Sequence, residues 1–229
     1  MNAMANIALN GVLFAGGFYS FVKSIMGIDY SKLEDLDKKS WANQAGKFAL
    51  EGKTPNEFVD PESGNVYSVA TFAGGCFWGT ELRYQRQEGV IATAVGYTQG
   101  NIDKPNYEQV CSGSTGHTEG IQLIYDPTIC SYERLVTILL NSINPTLKNQ
   151  VGNDRGTQYR HGIYFHTEEQ REIAQSLIDS RQEQFTVPIV TEVKGVDVFW
   201  PAENYHQRYL EKGGQSAEKN CEETVRCYG

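Results

Sequence analysis

The sequence is short of positive charge. Its 20 Lys and Arg stand against 28 Asp and Glu, a formal net charge of −8 over 229 residues, and no basic patch interrupts it. Sequence-independent nucleic-acid binding needs a cationic surface that displaces counterions, so no nucleic-acid partner is expected. Cys-x-x-Cys is also missing. The five cysteines, at 76, 111, 130, 221 and 227, are odd in number and form no even framework, which excludes a disulfide-stapled secreted domain. The four histidines (His117, His161, His166, His206) have no zinc-ligand spacing beside cysteine, so no metal site is expected. These absences favour a reducing compartment, cytoplasm or organelle interior, with free or transiently paired thiols.

The first 22 residues hold no charged side chain, and 15 of them are apolar. A signal peptide or anchor would need a basic start and an unbroken apolar run. This segment has neither, being interrupted at Asn10, Gly11, Gly16 and Gly17. Residues 1–30 are therefore read as an apolar extension, a targeting or membrane-associated segment being the lesser alternative. Residues 31–65 are polar and turn-rich and read as a linker or wrapping arm. The dense apolar pattern begins at Val66, so residues 66–229 form the main domain, ending in a polar tail over 211–229.

Within that domain, strands and helices alternate. "VYSVATFA", "VIATAVGYT", "GIQLIY", "GIYFHT" and "IVTEVKGVDVF" read as strands. "FWGTELRYQRQ" reads as a helix opening just after Cys76, and "SYERLVTILLNSI" as an amphipathic helix capped by Ser131. "TEEQREIAQSLIDSRQEQF" has capping-box spacing between Thr167 and Gln170, and "AENYHQRYL" reads as a short helix. The order predicts an α+β sandwich with a ferredoxin-like split β-α-β core, extra helices and a mobile C-terminal tail. A monomer is expected.

One stretch, "FAGGCFWG" at residues 72–79, stands apart. Cys76 falls between a strand and a helix, where the helix dipole and free N–H groups favour thiolate. Phe77 and Trp78 cannot both bury easily in a first helical turn, so at least one lines an apolar pocket. "AVGYTQG" ends a strand at Tyr97, and "GNDRGTQYR" holds Asp154 and Tyr159 in a glycine-flanked loop. Cys111 and Cys130 read as small packing residues.

"GGCFWG", "GYTQG", "NYEQVCSGSTGHTE", "GNDRGTQYRHGIY" and "AENYHQRYL", in this order, resemble peptide-methionine (S)-S-oxide reductase, the A-type methionine sulfoxide reductase. The ending "QSAEKNCEETVRCYG" is similar to the plant-type branch. The resemblance implies reduction of the S epimer of methionine sulfoxide, free or in proteins. Cys76 would attack the sulfoxide sulfur while Phe77 and Trp78 cradle the methyl group. Tyr97 and Tyr159 would hydrogen-bond the oxygen, and Asp154 and His206 would organise substrate and water. Release of methionine would leave Cys76 as a sulfenic acid. Cys221 and Cys227 would resolve it as a disulfide relay in either order, with thioredoxin or another dithiol as reductant and no bound cofactor.

At one position the pattern departs. Gln109 stands where the resemblance puts an acid, and an amide cannot deliver a proton. That leaves a degenerate member that binds oxidised methionine as one alternative, and a thiol peroxidase as another. Glu108 would point away on a helix, and Glu119 is a remoter source of the proton.

Overall fold

The computed structural model describes residues 29–227 except 31, 32 and 34. The reading of residues 1–28 as an apolar extension lies outside the described residues. In chain order the elements are α1 (Trp41–Leu50), β1 (Glu57–Val59), β2 (Val66–Gly74), α2 (Phe77–Gln85), β3 (Val90–Thr98), α3 (Tyr107–Cys111), β4 (Thr118–Tyr125), α4 (Tyr132–Ser142), β5 (Gln150–Val151), β6 (Asp154–Arg155), a 3₁₀ turn (Thr157–Tyr159), β7 (His161–Phe165), α5 (Glu168–Gln182), β8 (Glu192–Gly195), β9 (Trp200–Pro201) and α6 (Tyr209–Lys212).

The main sheet runs β8-β7-β2-β4-β3-β9, with β1 added against β2. Its centre, β7-β2-β4-β3, is antiparallel throughout and is the strand order of a ferredoxin-like fold. All eight residues of β4 are buried, as a central strand covered on both faces requires. One face packs Phe72, Tyr84, Ile121, Leu123, Leu135, Leu139 and Ile163 into a core beneath α2, α4 and α5. Ser131 caps α4 by accepting the Arg134 N–H at 3.2 Å. Thr167 caps α5 likewise, but Gln170 reaches past it to accept the His166 N–H at 2.8 Å.

The other face is closed by the segment expected as a polar arm. Tyr30, Leu33, Leu36 and the apolar stripe of α1 (Trp41, Ala42, Ala45, Ala49) pack there with Val69, Val95, Tyr97 and Trp200. The polar, turn-rich composition of residues 31–65 as a whole concealed this short amphipathic helix. Two further elements differ from expectation. The predicted strand over 189–199 is only the short β8 beside β7, and β9, just beyond it, lies beside β3 at the opposite edge of the sheet. The predicted helix over 202–210 begins only at Tyr209. Upstream of it, the Gln207 side chain pairs with both Val95 N–H and Val95 C=O, standing in for a strand neighbour.

Candidate active site

Cys76 is the N-cap of α2, at the point where β2 ends. Gly75 brings the chain there with φ +79°, and any side chain on it would run into Val151. The first N–H groups of a helix have no partner within it. Here the Phe77 N–H donates to Glu119 Oε2 at 3.0 Å. The Trp78 N–H favours the charged form of Cys76, and the Gly79 N–H that of Cys227. The first turn of α2 thus serves a carboxyl group and two thiols.

The C-terminal tail lies on this turn. Cys76 and Cys227 share a hydrogen bond, so their protons belong to the pair. The hydrogen bond from Cys76 lowers Cys227 to about 7 against its burial, with Arg83 assisting. The same bond, then burial and the Glu119 charge, drive the Cys76 thiol well above the usual range. One proton leaves easily and the second is held.

Glu119 occupies an inward position of β4, paired with Tyr97 of β3 and only 2 % exposed. Burial raises its pKa to about 8, the Phe77 N–H opposing and the Asp154 charge assisting. It is mostly protonated at neutral pH, an acid held ready beside a thiol. The hydroxyls of Tyr107 and Tyr159 belong to the same cluster. Burial raises both, and the Glu119 charge adds to each. Asp154, on β6, also acts on Tyr159 and Cys227.

Two expectations change on this geometry. Gln109 is exposed, and its side chain accepts the Asn106 N–H at 2.9 Å in a capping box that starts α3. It holds a helix end, whereas Glu119 is the buried carboxyl against the start of α2. Tyr97 is fully buried, and its hydroxyl donates to Glu203 Oε2 at 2.8 Å. Glu203 Oε1 accepts the Tyr107 N–H at 2.9 Å, so Tyr97 supports Tyr107 from behind. Glu119, read from the sequence only as a remoter proton source, carried a further signal. Glu119 shares its strand face with Ile121, Leu123 and Tyr125, where an unpaired carboxylate is costly.

Phe77 is buried and Trp78 half-buried, as one lining residue requires. Trp78 is fixed twice. Its indole N–H donates to His206 Nδ1 at 3.1 Å, and its ring stacks on Tyr209 with centroids 3.9 Å apart. His206, itself enclosed by Phe77, Tyr107 and Tyr205, is lowered by burial to about 3 and stays neutral. A cavity of about 910 Å³ opens from Trp78 and Cys227 towards Tyr205, Tyr209 and Arg226.

Cys221 lies farther down α2, on a tail segment that is anchored. Lys219 Nζ donates to the carbonyls of Gln85, Gln87 and Val90 at 2.8–2.9 Å. The Asn220 N–H donates to Arg86 C=O, and the Arg86 guanidinium holds the carbonyls of Ser216 and Glu223 on either side of Cys221. These bonds seat a tail whose composition read as mobile. Cys130 is buried among Tyr84, Tyr125 and Tyr132, whereas Cys111 bonds to Tyr107 at the site's margin. Among the described residues no group of three His, Cys, Asp or Glu could hold a metal ion, and no helix is long and apolar enough to cross a membrane.

The family model for peptide methionine sulfoxide reductase matches residues 68–227. The chain is 50 % identical over 171 residues to peptide methionine sulfoxide reductase A2-1 of Oryza sativa subsp. japonica, covering 75 % of this chain and 91 % of that one. It is 49 % identical over 174 residues to the chloroplastic A4 protein of Arabidopsis thaliana, covering 74 % and 67 %. The crystal structure of Mxr1 from Saccharomyces cerevisiae in its reduced form superposes with a TM-score of 0.64 at 31 % identity, over 72 % of this chain and 94 % of that one.

Proposed function

The chain belongs to the peptide methionine sulfoxide reductase family, and on that footing we propose how its residues reduce methionine sulfoxide to methionine and are then regenerated. The observation that carries the reading is the buried Glu119 carboxyl against the helix start that bears Cys76, where burial raises its pKa to about 8.

The largest group raising the Cys76 pKa is Cys227, so displacement of the tail by substrate frees Cys76 to ionise. Its thiolate attacks the sulfoxide sulfur, whose methyl group lies against Phe77 and Trp78. Glu119 gives its proton to the oxygen, and the hydroxyls of Tyr107 and Tyr159 hold the charge that develops there. Asp154 and His206 border the same space. Balance requires Cys76–SH plus sulfoxide to give Cys76–SOH plus methionine: the methionine sulfur gains two electrons and Cys76 loses them.

Once methionine leaves, the tail returns to its seat and Cys227 attacks the sulfenic sulfur, forming the Cys76–Cys227 bond and releasing water. Cys221 thiolate then attacks Cys227, which frees Cys76 and leaves Cys221–Cys227 in the exposed tail. A dithiol such as thioredoxin reduces that bond. The proximity of Cys227 supports this order over the reverse. Preference for the S epimer comes from the family, and the need for free thiols supports a reducing compartment.

Gln109 gave the degenerate reading its ground, and Glu119 removes it. Peroxide has no methyl group for Phe77 and Trp78 to hold, which disfavours a peroxidase. The test is single-turnover release of methionine from S- and R-sulfoxide peptides without reductant, beside Cys76→Ser. Near-stoichiometric release from the S epimer alone, lost in the variant, is expected. Release that persists in Cys76→Ser would sink the assignment.

A further inference from the structure

Gly79 is a glycine the backbone does not ask for. It is the third residue of α2, buried, in ordinary helical conformation, where alanine would favour the helix by about 1 kcal/mol. Gly75, three positions past the start of the same motif, has a positive φ that explains it; Gly79 has none. What a Cβ at Gly79 would meet is the tail alone. It would overlap Cys227 Sγ and touch Val225 Cγ1 at 3.7 Å, with no other atom of the described residues within 4 Å apart from its own helix backbone and chain neighbours.

We propose that Gly79 is the positioning residue for the resolving step: its missing Cβ is the space through which the Cys227 thiol reaches Cys76. The seat is built as well as vacant. The Gly79 N–H, left without a partner inside the helix, is directed at the Cys227 sulfur, and Arg83 stands one turn further along the same face. A side chain here leaves β2, β4 and the Glu119 pocket as they are, and displaces only the thiol that must attack the sulfenic acid. The attack distance for a thiolate on sulfur is short, so a shift of about 1 Å is enough to slow it markedly.

The inference rests on Cys227 being the resolving thiol, and the experiment separates the two. Full-length wild type, Gly79→Ala, Cys227→Ser and the double variant are given one equivalent of S-sulfoxide peptide. Methionine release, trapping of Cys76 sulfenic acid by dimedone, and appearance of the Cys76–Cys227 bond are followed in each. Gly79→Ala should release methionine within twofold of wild type, form the disulfide at least tenfold more slowly, and accumulate the dimedone adduct. In the Cys227→Ser background the same alanine should change nothing further. A Gly79→Ala protein that folds only when Cys227 is also replaced would report the same clash. Disulfide formation at the wild-type rate in Gly79→Ala overturns the inference. So does an equal loss of methionine release, which would make Gly79 part of the sulfoxide pocket. If Cys227→Ser leaves no trappable sulfenic acid, the resolving role of Cys227 fails instead, whatever alanine does.

Discussion

The two ends of α2 do opposite work. At its N-terminus three free N–H groups serve Glu119, Cys76 and Cys227. At and just beyond its C-terminus, carbonyls of Gln85, Gln87 and Val90 receive the Lys219 ammonium, and Arg86 grips the tail on both sides of Cys221. Each end suits its charge: thiolate at the positive pole of the helix, a cation at the negative one. The ten residue steps from Cys76 to Arg86 span about 15 Å. The seven steps from Asn220 to Cys227 could reach about 23 Å if fully extended. The tail therefore returns along the helix with slack, enough for Cys221 to swing onto Cys227. One end reduces the substrate, the other holds the means of recovery, and each should be breakable without the other.

The largest break is at the N-terminal end. Glu119→Gln keeps the shape and an amide in place of the proton donor, so methionine release should fall by about 10² to 10⁴. Sulfenic acid made directly with peroxide should still be resolved by Cys227. In the wild type, release should decline as pH rises through about 8, where Glu119 ionises. Stability follows with a definite sign. Folding raises this carboxyl from 4.5 to about 8, so the folded state binds more protons in that window and loses stability as pH rises through it. Glu119→Gln should remove that loss, which thermal unfolding at pH 5 and pH 9 would reveal. Equal pH dependence in both proteins would mean the acid lies elsewhere.

A smaller break separates two tyrosines. Tyr107→Phe should cost about 10² in methionine release, as loss of a donor to a developing oxyanion does. Tyr97→Phe should cost less, since its hydroxyl ends on Glu203 and reaches the site only through the Tyr107 backbone. The reverse ranking in single-turnover rates would restore Tyr97 to the oxygen.

At the far end, Lys219→Met removes three hydrogen bonds to backbone carbonyls while its own backbone stays exposed. Thioredoxin-driven turnover should fall about tenfold, from the lost local concentration of the two tail thiols. Methionine release in a single turnover should stay within twofold. If both rates fall together, the clasp supports the fold at large and the two ends are one unit.

Much of this molecule is local in sequence. Cys76 with its aromatic neighbours, the alternation of β2 to β7, and the Ser131 and Thr167 caps are all set within a few residues. What was missed or left remote depends on distant pairing. Glu119, read from the sequence only as a remoter proton source, becomes an acid because β4 is buried against β3, which raises its pKa although the Phe77 N–H opposes. Lys219 sits in a polar stretch that reads as free tail, and its partners lie about 130 residues earlier. The helix α1 is amphipathic in its own right, and it is passed over because it lies inside a stretch that reads as polar and turn-rich as a whole.

The smallest expected effect belongs to the residue that first read as the catalytic position. Gln109 is N3 of α3, and its side chain closes a reciprocal pair with Asn106. Glutamate suits that box as well as glutamine does, and it complements the helix dipole. Gln109→Glu should therefore change methionine release less than twofold and leave its pH profile in place. Stability should move by no more than a few tenths of a kcal/mol. An acid added at the true proton-donating position would behave differently, raising the rate and introducing a new titration. A rate increase of tenfold or more in Gln109→Glu would show that the exposed face of α3 meets the sulfoxide. The N-terminal end of α2 would then have to share the proton-donating role that its contact with Glu119 supports.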